Sequence, residues 1–144
     1  MSIEQNKAVV HRFINEIWNH QNLATVDEIF APEVVLHDTL WNDVKGREAL
    51  RNWWKDIIFA AFTNIHLTVE DLFGEGDKVS HRWVSTSKHT GPLMGVPATN
   101  KDLRWTGQNI YWFKDGKIVE LWMNQDHLGV IGQLGLMPPM SFGS

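Results

Sequence analysis

The stretch "GQNIYWFKDGKIVELWMNQD", residues 107–126, decides how this chain folds. At its centre stands Asp115-Gly116, a pair suited to the two positive φ angles of a tight hairpin turn. Apolar and aromatic residues flank the pair on both sides, which predicts antiparallel strands over about 103–113 and 117–125. With Lys114 opposite Lys117, a regular ladder sets Phe113 against Ile118, Tyr111 against Glu120, Asn109 against Trp122 and Gly107 against Asn124. Trp105 then lies near Asp126. Strand alternation places Trp105, Gly107, Asn109, Tyr111, Glu120, Trp122, Asn124 and Asp126 on one face, unless a β-bulge shifts part of the set.

Working upstream, residues 79–90 and 64–73 alternate in the same way, joined by the turn "GEGDK" at 74–78. The half before them is helical. Ser2 and Gln5 form a capping box ahead of Val9, Val10, Phe13, Ile14, Ile17 and Trp18, whose three- and four-residue spacing predicts a helix over about 3–19. A short helix around 24–30, a strand at 33–38 and a third helix from Arg47 to about Phe62 follow. Downstream of Asp126, "DHLGVIGQLG" reads as a short apolar helix or turn. Helices first and long antiparallel strands second predict an α+β fold, a curved sheet with helices on one face. The 144 residues predict a single domain over 1–144, with about 137–144 as a loosely held tail.

Composition narrows the function classes. The chain has no cysteine, which removes thiolate chemistry and disulfides. A net charge of -4 without basic runs argues against nucleic acid as a partner. Apolar runs fall short of a membrane span, and the N-terminus lacks a signal-peptide profile, so a cytoplasmic protein without a membrane partner is expected. Eight tryptophans stand against one tyrosine. They either pack a core or supply flat apolar walls for a cyclic small molecule.

Candidate chemistry centres on Asp126. An acid between an apolar strand and an apolar helix is either the helix N-cap or a partly desolvated general acid/base. Capping stabilises the anion and opposes a raised pKa, so the two roles pull in opposite directions. Asn109 and Asn124 are amides that can hold a substrate oxygen, and His37, beside Asp38, is a candidate second acid/base. His89 at a strand end is a further binding candidate, whereas His66 and His81 lie mid-strand and read as structural. Trp41, Trp54, Trp105 and Trp122 are candidate walls, and Met94 a flexible contact above them. The histidine spacings form no metal motif, the Ser85–Ser87 run lacks a nucleophile elbow, and the glycines form no phosphate loop. Neither metal nor cofactor is expected.

The block from 107 to 135 resembles the C-terminal signature of the SnoaL-like polyketide cyclases. Its elements are Asp115-Gly116-Lys117-Ile118-Val119-Glu120, then Trp122, Asp126, Leu128-Gly129 and Gln133-Leu134-Gly135. "GREALRNWW", "EGDKVSHRW" and "HTGPLMGVPATNK" also resemble that family's pattern. The resemblance implies the cone-shaped α+β barrel of the nuclear transport factor 2-like superfamily, with a deep pocket. It implies a cofactor-free intramolecular aldol condensation on an apolar polyketide-like carbonyl compound, with acid/base chemistry at the position matched by Asp126. A homodimer or higher homo-oligomer is implied as well. Two other readings belong to the same pocket: a protein that only binds a hydrophobic small molecule, and an epoxide hydrolase or dehydratase. Isomerase chemistry of the ketosteroid type would call on Tyr111, which lies near the hairpin turn.

Overall fold

The structure, a computed structural model, describes residues 2–40 and 42–137. Helix α1 (Ile3–Arg12) opens on the expected capping box: the Ser2 side chain accepts from the Gln5 N–H and Gln5 reaches back to the Ser2 N–H. The helix continues as a wider π-helical segment, Phe13–Asn19, that turns Phe13, Ile14, Ile17 and Trp18 inward. A short helix α2 (Val26–Ile29) leads into strand β1 (Phe30–Asp38). The small strand β2 (Val44–Lys45) has no counterpart in the sequence reading. Helix α3 (Arg47–Asn52) passes through a second π segment, Trp53–Ile58, into α4 (Phe59–Ala61). Long strands then follow: β3 (Phe62–Glu75), β4 (Lys78–His89), β5 (Asp102–Lys114) and β6 (Lys117–Gln125). Helix α5 (His127–Gln133) closes the described chain. The tail reading falls almost wholly on residues 138–144, outside the described residues.

The strands form one curved six-stranded sheet in the order β2-β1-β6-β5-β4-β3. It is mixed: β1 runs parallel to β6 and every other neighbour is antiparallel. The sheet stays open at β2 and β3, so the architecture is a cone and not a closed barrel. The helices fill its concave side around an aromatic knot. Phe13 lies 5.6 Å from both Phe30 and Trp54 and 5.7 Å from Tyr111, and all four rings are buried. Gly107 has a local reason: a Cβ there would stand 2.3 Å from the Trp83 ring, which crosses the strand at that point. Among the described residues no helix is long and apolar enough to cross a membrane.

The hairpin departs from the regular ladder. Lys114 pairs with Lys117 and Phe113 with Ile118, as the turn dictates. A bulge then leaves Val119 without an opposite residue, and Trp112 pairs with Glu120, Tyr111 with Leu121 and Asn109 with Met123. One extra residue exchanges the faces of all that follows. Leu121 and Met123 are buried, whereas Trp122, Asn124 and Asp126 lie on the outside. The expected shared face of Asn109, Trp122, Asn124 and Asp126 therefore does not exist.

Candidate functional site

Every expected site residue except Trp41 now has a place. Asp126 is exposed and caps α5: its Oδ1 accepts from the Gly129 N–H at 2.9 Å. His37 also faces outward. Its ring stacks on Trp122 with 3.8 Å between centroids, and its nitrogens lie 3.0 Å from Asp43 and 3.0 Å from Glu120. Asn124 is exposed beside Asp126 on that outer surface. Trp54 is fully buried among Phe13, Trp18 and Phe30, a core plug and not a wall. His89 is buried, and its Nδ1 accepts from the Thr99 N–H, fastening the loop that follows β4. Trp41 lies outside the described residues. Asn109, Trp105 and Met94 remain on or above the concave side.

Asn109 belongs to a sealed polar chain. Trp83 Nε1–H donates to Asn109 Oδ1 at 3.1 Å, and Asn109 Nδ2–H donates to the Tyr111 hydroxyl at 3.1 Å. That hydroxyl lies 2.9 Å from His81 Nδ1. Burial, with His11 nearby, pushes the His81 ring down to about 3, so it is neutral. Burial also holds the Tyr111 phenol well above its ordinary value, against the Asn109 hydrogen bond. Asn109 and Tyr111 thus hold Trp83 in place through hydrogen bonds spent on one another.

A second polar cluster was not foreseen. Val34 and Leu36 point into the core, so alternation along β1 turns Asp38 inward and His37 out. The Asp38 side chain is fully buried and gathers three donors: the Leu40 N–H at 2.9 Å, the Gln125 amide, and His127 Nε2 at 2.8 Å. Burial pushes its carboxyl up, but His127, Leu40 and Gln125 together bring it below the usual value, so Asp38 is an anion. His127 is the first residue of α5, next to the Asp126 cap; the cap aims the helix and thereby the ring. Parallel pairing of β1 with β6, with Asp38 level with Met123, brings these residues together from 85 or more positions apart.

The cluster sits between two apolar cavities. One lies in the cone, lined by Trp18, Trp53, Trp83, Trp105, Ser85, Ser87 and Gln125 among others, with a water-accessible volume of about 30 Å³. The other lies under α5, lined by Leu40, Leu93, Met94, Val96, Trp105, His127 and the apolar residues of α5, with about 190 Å³. Trp105 is a wall of both, and its ring meets His127 edge-on at 5.6 Å. Gln125 lines the first cavity, His127 the second, and Asp38 ties them together. This is a buried carboxylate–imidazole pair at an apolar junction, able to hold and move a proton.

Comparison with known proteins agrees with the fold. The model of the SnoaL-like polyketide cyclase family matches residues 8–134. A candidate SnoaL-like polyketide cyclase from Jannaschia sp. CCS1 has the same fold, with a TM-score of 0.85, 23% identity, and coverage of 94% of this chain and 95% of its own. A candidate polyketide cyclase from Acidithiobacillus ferrooxidans is 29% identical, with a TM-score of 0.82 over 96% of this chain and 100% of its own. AclR, a candidate hydroxylase from Streptomyces galilaeus, is 26% identical, with a TM-score of 0.83 over 97% and 87%. None of the curated proteins compared matches the sequence. With the family pattern met from residue 8 to 134 and the cone shared along almost its whole length, the chain belongs to the SnoaL-like polyketide cyclase family.

Proposed function

We propose that the protein is an acid/base enzyme that closes a ring in an apolar, polyketide-like carbonyl compound by intramolecular aldol chemistry, without a cofactor. The observation that supports this reading is the 2.8 Å contact of His127 Nε2 with the buried Asp38, beside Trp105, the wall that two apolar cavities share. Asp38 already holds three donors, so it orients the imidazole ring. With Nε2–H donated to Asp38, the other ring nitrogen, Nδ1, is the base. It takes a proton from a carbon next to a carbonyl, and the C–H electron pair moves into the enolate. The enolate carbon bonds to a second carbonyl carbon of the same molecule, and the new alkoxide recovers the proton from the imidazolium. No atom is lost and no redox change occurs. The apolar surround raises the strength of each charge interaction during these steps.

The test is α-proton exchange of a bound aryl ketone, acetophenone, followed by NMR in D2O. His127→Gln is expected to abolish protein-catalysed exchange and Asp126→Asn to keep it. The opposite result returns the proton to Asp126. A binding-only reading has one supporting observation: Trp, Ile, Phe, Leu, Ser and Gln line the cone cavity, without an acid or base. Under that reading no exchange is catalysed, and His127→Gln changes affinity alone.

A further inference from the structure

The cavity under α5 reaches the proton-transfer centre at His127 and extends well beyond it, and it is the roomier of the two, at about 190 Å³ against about 30 Å³. Beyond His127 and Trp105 its lining is aliphatic or thioether: Leu93, Val96, Val130, Ile131 and their neighbours. A polar substituent placed there would find few partners and would lose its hydration without replacement.

The loop at its rim carries an independent signal. Leu93 and Val96 exchange two backbone hydrogen bonds, each 2.9 Å, around Met94 and Gly95. Both central residues have positive φ, +50° at Met94 and +82° at Gly95. Asn, Asp or Gly suits the first of these positions; a side chain like methionine there costs on the order of 1 kcal/mol. Folding does not recover that cost, because Met94 is 61% exposed and so buries little apolar surface. A deformable thioether held out over an apolar hollow gains contact area only when something fills the hollow.

We propose that this cavity binds a flexible apolar arm of the substrate, clasped between α5 and Met94, while the reacting carbonyl lies against His127. The substrate class is then an arene or ring carbonyl bearing an alkyl substituent. This assignment rests on His127 as the reacting centre, because His127 is the wall through which arm and carbonyl meet. His127 and Trp105 line this cavity together, so the arm and the carbonyl belong to one molecule.

A series of phenyl n-alkyl ketones, from acetophenone to octanophenone, tests it, titrated by quenching of tryptophan fluorescence. Binding is expected to tighten about fourfold per added methylene, then level off once the cavity is full. Ile131→Trp, which fills the cavity, flattens that gain, and Met94→Ser reduces it for the longer members. Met94 is exposed, so its variant keeps the test usable if Ile131→Trp fails to fold. Affinity independent of chain length, or a gain unchanged in Met94→Ser, overturns the proposal. The acid/base reading is judged separately by α-proton exchange of acetophenone, the member with the shortest arm. Exchange without a chain-length gain sinks the arm site alone, and a gain without exchange upholds it while sinking the role of His127.

Discussion

Two polar clusters are built into the concave side of this cone, and they differ in what surrounds them. The Trp83–Asn109–Tyr111–His81 chain spends its hydrogen bonds among its own members beneath the helices, and of the four Trp83 alone lines the cone cavity. The Asp38–Gln125–His127 cluster is as deeply buried at its carboxylate but opens onto two cavities through Gln125 and His127. Burial alone does not mark a site. The His81 ring is held neutral by its surroundings, so it cannot trade a proton near neutral pH. His127 has an anion fixed on one nitrogen and faces a hollow that can admit a reactant.

Variants can separate the two clusters. Tyr111→Ala empties a fully buried site and is expected to lower stability by about 3–5 kcal/mol in urea unfolding. A milder loss would mean that the sealed chain is not part of the core. His127→Gln is expected to lower turnover roughly 10²–10⁴-fold, with a stability change of about 1 kcal/mol or less because glutamine can still donate to Asp38. If it unfolds the protein as Tyr111→Ala does, the contrast between the clusters disappears.

Acid titration sharpens the contrast further. Unfolded His81 takes up a proton near 6.5, whereas the folded ring waits until about 3. Between those values the unfolded state holds the extra proton, so stability falls as pH falls, by about 1.4 kcal/mol per unit from this group. Asp38 is depressed from 3.8, so its contribution is complete above 3.8 and is lost only as pH drops through its lower folded value. Unfolding midpoints measured across pH 3–7 are expected to lose much of their slope in His81→Gln and to keep it in Asp38→Asn. The smallest effect belongs to the cap. Asp126→Ala is expected to cost about 1 kcal/mol, read by thermal melting, without changing which residues line either cavity.

Much of this arrangement was legible before any coordinates. The capping box at Ser2, the helix faces and the Asp115-Gly116 turn are local signals, and each appears where local chemistry puts it. Even the orientation of Asp38 could be read: Val34 and Leu36 face inward, so the residue two further on does too. Three features could not be read. Nothing in "KIVEL" marks Val119 as the bulged residue, because valine fits a regular strand equally well. The parallel pairing of β1 with β6 depends on packing across the whole chain. The partnership of His127 with Asp38 follows from that pairing, so the catalytic expectation settled on the neighbouring Asp126, whose capping role is local.

The bulge at Val119 separates curvature from inventory. On either side of it Ile118, Leu121 and Met123 are buried, so excising Val119 leaves an evenly alternating strand with the same residues indoors. The pairing of β1 with β6 breaks at the same level, between Phe30 and Val35, where Pro32 has no N–H to offer a neighbour. Two adjacent strands therefore share a crease. Shortening the chain by this one residue would leave the list of lining groups intact and flatten the wall that carries them, so the vessel would change shape while its contents stayed the same.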